Sequence, residues 1–387
     1  MRVLRTLLRA RLWGVALLLL GGCVQPYEPK VAESAKTYLV VDGFINTQGS
    51  TSIKLSRTLG LAAGTTPNPE TKASAYLGDD AGNRYALTES PAGTYNSASL
   101  TLDASRKYQL HLTTATGKTY LSDFVAAKTT PPIDSVTWKY GPGGVQLYVS
   151  AHDDKNQTTY YRWSYGETWL FTSAFYSHVS FDKASGTYAK RTDDIYNCWT
   201  TVNSTLINLG NTAKLTRDVL DKQPLLFIAD NSPKLRYRYS ILVQQHAQSA
   251  EEYHYWEALK KNTESIGSLY DPLPTQLTGN VHATDDATEP VLGFVGAHSV
   301  TETRIFIDRS QIPLPPGWVY DTGYQSCGVI PMDFDLFDAK ANFSTPNYMP
   351  IDPIYNPLGV VMGYTGASPA CVDCRLRGTN VKPSFWK

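Results

Sequence analysis

A chain of 387 residues, 42% hydrophobic, 12% aromatic and 18% charged, is long enough for two or three packed domains and too apolar for a disordered tail. Its 35 basic residues equal its 35 acidic ones, but Arg2, Arg5, Arg9 and Arg11 all precede Gly22, so the remainder holds 31 basic against 35 acidic residues. That remainder lacks the basic footprint of a nucleic-acid binder, and no nucleic-acid partner is expected.

The four leading arginines are followed by Leu12–Leu20, nine residues that are all apolar or Gly, giving the charged and hydrophobic regions of a bacterial export signal. Nine residues are too few for a transmembrane helix, which takes about 20, and no later stretch supplies them. Leu20-Gly21-Gly22-Cys23 then has the form of a lipobox: small residues that fit a peptidase groove, then a thiol that accepts a diacylglyceryl group. Residues 1–22 are expected to be a lipoprotein signal peptide, and residues 23–36 a tether from a lipidated Cys23. Acylation of both its thiol and its freed amine would anchor the chain to a membrane, because a single acyl chain holds only marginally.

From Thr37 the pattern turns to period-two alternation of β-branched and aromatic residues, at Tyr38–Ile45 and Ser52–Ser56. Further runs at Ala73–Leu77, Tyr85–Thr88, Tyr108–Thr113 and Tyr120–Phe124, separated by turn sequences, predict a β-sandwich over residues 37–128. Thr129-Thr130-Pro131-Pro132 then marks a domain boundary, since consecutive prolines cannot donate to a ladder. A second sandwich, residues 129–309, opens at Ser135–Trp138 and continues through Val145–Val149 and Tyr160–Tyr165, the last with Tyr161, Trp163 and Tyr165 on one face. Residues 166–235, weakly periodic and rich in Thr, Asn and Asp, read as a long insertion before a strand at Arg236–Gln245. Ser249 and Glu252 have capping-box spacing, each side chain placed to bond the other's amide. They open a helix through Asn262 with Tyr253, Trp256 and Leu259 as its apolar stripe. Strands resume at Val281–Ala283, Val291–Phe294 and Thr303–Ile307, and a proline-rich C-terminal extension fills residues 310–387.

Cysteines Cys198, Cys327, Cys371 and Cys374, an even number in a chain with an export signal, are expected to form two disulfides. Three pairings are open. A zinc site would want a second close pair, and a thioredoxin-like motif would want Cys371-Val372-Asp373-Cys374 between a strand and a helix, whereas the flanking residues look like loop. The expected fold is therefore mainly β: two tandem immunoglobulin-, transthyretin- or fibronectin-like sandwiches, one short helix, and a C-terminal tail pinned by disulfides, its own core too small to order it.

The lipobox, Tyr38–Ile45 with Leu55-Ser56-Arg57, Val291-Leu292-Gly293-Phe294, and the ending Cys371–Arg375 through Lys382–Trp386 resemble the domain-of-unknown-function 4249 family of Bacteroidota outer-membrane lipoproteins. Residues Ala73 to Phe124 are similar to a transthyretin- or carboxypeptidase-regulatory-like sandwich, and the second region to a fibronectin type III domain. The family resemblance implies a β-rich protein lipid-anchored at the outer membrane, its face of that membrane left open, and often associated with a TonB-dependent receptor. It brings no catalytic residues.

Nor does the sequence supply any. It has no Gly-x-Ser-x-Gly elbow, no His-Glu-x-x-His pair and no phosphate-cradling glycine loop, so no catalytic residue, cofactor or metal is assigned. The seven histidines are scattered, and the acid pairs Asp153-Asp154, Asp193-Asp194 and Asp285-Asp286 fall in turn-like sequence. Aromatic residues are the remaining signal. Trp169, Phe171, Phe175 and Tyr176 crowd the start of the 166–235 stretch and form a candidate ligand or partner surface, whereas Trp163 is better read as core. The expected function is that of a non-enzymatic outer-membrane lipoprotein, an accessory partner of a TonB-dependent receptor in nutrient uptake. The alternative is a stand-alone surface adhesin for a glycan or peptide ligand.

Overall fold

The computed structural model describes residues 37–59, 68–264, 277–286, 288–332 and 336–387. The expected signal peptide, the tether and Cys23 lie outside them. The chain enters as a hairpin, β1 (Leu39–Asn46) and β2 (Gln48–Arg57), antiparallel with Val41 opposite Leu55. Leu39, Val41 and Ile45 are buried while Asp42 and Phe44 face outward, as period two requires. There follow β3 (Asn68–Pro69), β4 (Ser74–Asp79), β5 (Arg84–Glu89), β6 (Thr94–Thr101), β7 (Lys107–Thr113), β8 (Thr119–Ser122) and β9 (Val125–Ala126). Of these β6 gave no apolar alternation to read, because its inward positions are Tyr95 and Ser97.

The second sandwich begins with β10 (Ile133–Gly141), β11 (Gly144–His152) and β12 (Tyr160–Thr172). A hairpin, β13 (Val179–Asp182) and β14 (Thr187–Lys190), departs from it before β15 (Asn197–Asn203), β16 (Asn208–Asn211), β17 (Val219–Ala229) and β18 (Arg238–Gln248) complete it. One sheet has the order β10-β11-β17; in the other β12 lies between β15 and β18, with β16 also pairing β12. The 166–235 stretch is therefore not one insertion. It carries the end of β12 and three sandwich strands, and only the residues around β13–β14 leave the body. β15 and β16 are hard to read because they border the sheet and carry Thr and Asn rather than an apolar face, and in β17 Asp221-Lys222-Gln223-Pro224 breaks the apolar pattern. Trp163, 1% exposed, sits in the core with its ring parallel to that of Tyr161 and its Nε1 donating to Gln245 Oε1 at 2.9 Å.

Helix α1 (Ala250–Glu264) follows, and the chain then returns to the first sandwich with β19 (Val281–Ala283), β20 (Val291–Leu292) and β21 (Ala297–His298). β19 pairs with β8, while β20 and β21 pair in parallel with β1, so the returning segment covers both edges of the first sandwich. Val281, Ala283, Val291, Val295 and Ala297 complete its core. The expected boundary at 129 is thus crossed back: residues 277–298, read from sequence as part of the second domain, belong to the first. Strands of two or three residues cannot build a core alone, and their tertiary partners decide where they sit. The chain crosses again into β22 (Val300–Asp308), which pairs with β18. Both crossings are bonded together, with the Thr130 amide donating to Ser299 Oγ, and Gln245 Nε2 and Thr301 Oγ1 both donating to the Pro131 carbonyl.

The C-terminal extension has more structure than its sequence suggests. β23 (Ile330–Met332), α2 (Leu336–Ser344), β24 (Met349–Tyr355), β25 (Val361–Ala367) and α3 (Pro369–Val372) form a small sheet, β23-β25-β24, with two helices beside it. Its cores are shared. Ala339, Phe343 and Tyr364 pack on Val179 of the departing hairpin, and Ile351, Ala367 and Val372 pack on Ile195. Cys198 bonds Cys374 and Cys327 bonds Cys371, so the first bridge ties the extension to β15 and the second closes within it. The fold class is mainly β as expected, with three α-helices among the described residues where one was read.

Candidate functional site

The two sandwiches meet across a polar cleft of about 630 Å³. One wall is the outward face of β1 with Asp42 and Phe44. The other is the outward face of the larger sheet of the second sandwich. Because Tyr161, Trp163 and Tyr165 turn inward from β12, Arg162 and Ser164 turn outward. Antiparallel register then sets two rows across three strands: Arg162, His246 and Val300, and beside them Ser164, Gln244 and Glu302. Glu252 and Trp256 of α1 close one end.

Hydrogen bonds run along these rows. Ser164 Oγ lies 3.1 Å from His246 Nε2 and 3.4 Å from Gln244 Oε1, and Gln244 Nε2 donates to Glu302 Oε2 at 3.4 Å. His298 is fully buried, stacked on Phe44 with centroids 4.2 Å apart, its Nε2 3.6 Å from Glu252 Oε1. His246 meets both rings edge-on. Burial above all, then the neighbouring Arg162 and His298, hold the His246 imidazole well below its ordinary range. The capping box forms by half. Ser249 Oγ accepts the Glu252 amide at 3.1 Å, but the Glu252 carboxylate accepts from Gln248 Nε2 at 3.3 Å and faces His298.

Arg162 has its Cζ 4.5 Å from the Trp256 ring centroid, and its Nε is buried without a partner. Burial lowers the pKa of its guanidinium, opposed by the charges of Glu252 and Asp42. Unpartnered buried atoms gather here: Arg162 Nε, His246 Nδ1, Gln248 Oε1, Trp256 Nε1 and His298 Nε2. Each such atom costs about 1–3 kcal/mol if left unsatisfied. Inside the second sandwich the opposite holds. Buried Glu167 accepts from Tyr239 Oη at 2.7 Å and Lys234 Nζ at 2.8 Å, and buried Asp218 accepts from Tyr161 and Thr212. Among the described residues no cluster of three or more His, Cys, Asp or Glu side chains is arranged to hold a metal ion.

The model of the family described as a domain of unknown function (DUF4249) matches residues 24–304, which include the first sandwich, the second up to the middle of β22, and every cleft residue. The chain belongs to that family. The DUF4249 match ends within β22, so the Cys371–Arg375 and Lys382–Trp386 sequences that carried part of the resemblance lie beyond it. No curated protein matches the chain.

The aromatic residues expected to form one surface are split in this DUF4249 chain. Trp169 and Phe171 line a small apolar cleft of about 210 Å³ with Val202 and Tyr324, but Lys234 Nζ lies 5.2 Å from the Trp169 centroid and Phe171 packs against the Cys198–Cys374 bridge. Phe175 packs into the small core beside Cys371, and exposed Tyr176 meets Tyr196 and His178. All three acid pairs serve turns: Asp153 accepts the amides of Lys155, Gln157 and Thr158, Asp194 those of Tyr196 and Asn197, and Asp286 that of Thr288. The cleft residues were missed because His246 and His298 are far apart in sequence. The available signal was the polar set alternating with core residues, Arg162 and Ser164 on one strand and Gln244, His246 and Gln248 on another.

Proposed function

We propose that this chain is a lipid-anchored, non-enzymatic protein of a Bacteroidota outer membrane that docks on a TonB-dependent receptor and helps it present or retain nutrient. The Arg-rich leader and Leu20-Gly21-Gly22-Cys23 support the anchor. The observation that carries the docking is the tip of the β24–β25 hairpin. There Tyr355, Leu358, Val360 and Met362 are each more than half exposed, Leu358 at 86%. The turn is well formed, its Asn356 side chain accepting the amides of Leu358 and Val360 with Gly359 at φ +79°, so these side chains are presented on an ordered tip. Large apolar side chains grouped in water mark interaction sites.

Pull-down from detergent-solubilised membranes tests the reading. The wild-type chain is expected to recover a β-barrel partner, and a Leu358→Asp, Val360→Asp variant to recover at least tenfold less, since both side chains are more than half exposed at the tip. Cys23→Ser is expected to release the protein from the membrane. Recovery of no barrel, a bare Cys23 thiol in the native product, or turnover of an envelope polysaccharide would overturn it. The stand-alone adhesin is the second reading, supported by the cleft, and retention of a peptide or glycan without any barrel would favour it.

A further inference from the structure

Arg162 makes no direct ion pair in a cleft it shares with three carboxylates, although the charges of Glu252 and Asp42 act on it and Glu252 also faces His298. Asp42, Glu252 and Glu302 line the same space, and none of them forms an ion pair with Arg162. His246, only 3% exposed, adds an unpartnered Nδ1 beside it. Water can satisfy orphaned hydrogen bonds, but it brings neither a carboxylate in direct contact with the half-buried Arg162 nor an ammonium in contact with Asp42 and Glu302. A simple anion suits the guanidinium but is repelled by three carboxylates; a simple cation suits the carboxylates but leaves Arg162 Nε and its guanidinium without an acceptor. A sugar finds little free aromatic surface, because the rings of the cleft already carry Arg162 over Trp256 and His298 on Phe44. About 630 Å³ is within the usual range for small-ligand sites.

We propose that the cleft binds a small zwitterion, an amino acid or a short peptide with free ends, its carboxylate on Arg162 and its ammonium toward Asp42, Glu252 and Glu302. Guanidinium and carboxylate match as a planar, two-bond pair, which makes Arg162 the anchor. The β12–β18–β22 rows supply a rigid floor, and the crossings at Thr130–Pro131 and Ser299–Thr301 hold β1 opposite it. This deepens the nutrient-binding reading by naming the ligand class.

Equilibrium dialysis of the purified chain, with retained species identified by mass spectrometry, tests it with four probes: a mixture of the twenty amino acids, a mixed tripeptide pool with free ends, the same pool N-acetylated, and the same pool C-terminally amidated. Retention from either of the first two is expected, and which one identifies the ligand as free amino acid or peptide. Blocking either end is expected to reduce retention at least tenfold. Arg162→Met is expected to reduce it at least tenfold while melting no lower than wild type, since the half-buried guanidinium makes no direct ion pair and its buried Nε has no partner. Exposed Glu302→Gln, which leaves the core untouched, is expected to weaken free-ended ligands and leave any residual binding of the acetylated pool unchanged. No retention from either free-ended probe, retention indifferent to blocking, or undiminished retention by both variants would overturn the proposal. The membrane pull-down is read separately: loss of the barrel partner with intact zwitterion retention removes the receptor reading alone, and the converse removes this one alone.

Discussion

Burying His246 beside a guanidinium makes its protonation unfavourable in the folded state, and the consequence is a pH dependence with a definite sign. The groups facing it are Arg162 from β12, His298 from β21, Glu252 from α1 and Phe44 from β1. Its folded pKa is below the ordinary 6.5, so as pH falls through that value the unfolded chain takes up a proton that the folded chain refuses. The stability from this group is present above about pH 6.5 and is lost below it. His152 acts in the opposite sense, its pKa raised by hydrogen bonding and attraction to Asp134, so its stabilisation is present at low pH and lost as pH rises. On going from pH 7.5 to 5.5 the wild-type urea midpoint is therefore expected to shift downward relative to that of His246→Gln, which keeps the His152 contribution alone, and equal slopes would refute this account. At this scale alternation made Trp163 legible as core. It also put Arg162 on the opposite face, but nothing local says that a second domain covers that face.

At the scale of the element, β12 is the strand on which the molecule turns, with core residues on one side and cleft residues on the other. Its expected end at Tyr165 falls short of the observed Thr172, because Gly166-Glu167-Thr168 interrupts the apolar pattern. A carboxylate at an inward position looks like a break until Tyr239 of β18 and Lys234, from the short 3-10 turn before it, pair with it. Close backbone approach governs β20. Gly293 follows it at φ +131°, and a Cβ there would press into the Val41 carbonyl of β1. Gly293→Ala combines an unfavourable conformation with that contact and is expected to cost roughly 2 kcal/mol or more, read as a lowered thermal midpoint. An unchanged midpoint would mean that β20 does not dock on β1 as described.

For the whole molecule, the order of crossings matters more than the number of domains. The first sandwich is not complete until residues 277–298 return to it, after all of the second but β22, so its folding depends on a long-range closure. A fragment of residues 37–131 exposes the β1 and β8 edges and lacks five core side chains. It is expected to aggregate or remain unfolded by circular dichroism and size-exclusion chromatography. Fusing residues 277–299 to it through a flexible linker is expected to restore a monomer with a cooperative melt. A shorter fragment that folded alone would show that the return is decoration rather than core. The Cys198–Cys374 bridge spans 176 positions and Cys327–Cys371 spans 44, so in the loop-entropy picture they restrict the unfolded chain by about 5 and about 4 kcal/mol taken singly.

By itself the sequence determined the class of the fold, the main strand runs of the first sandwich, the helix after Ser249, the crossing at the paired prolines and the use of four cysteines in two bridges. All of these follow from period, turn chemistry and redox arithmetic within short windows. Tertiary structure alone decided which cysteines pair, that the last strands belong to the first sandwich, that the C-terminal extension shares its cores with the β13–β14 hairpin, and that Arg162, His246, Glu252 and His298 meet in one cleft. The physical reason is common to these cases. A short strand, a thiol or a charged side chain finds its energy in partners distant along the chain, and a local pattern records which way a side chain faces but not what it will face.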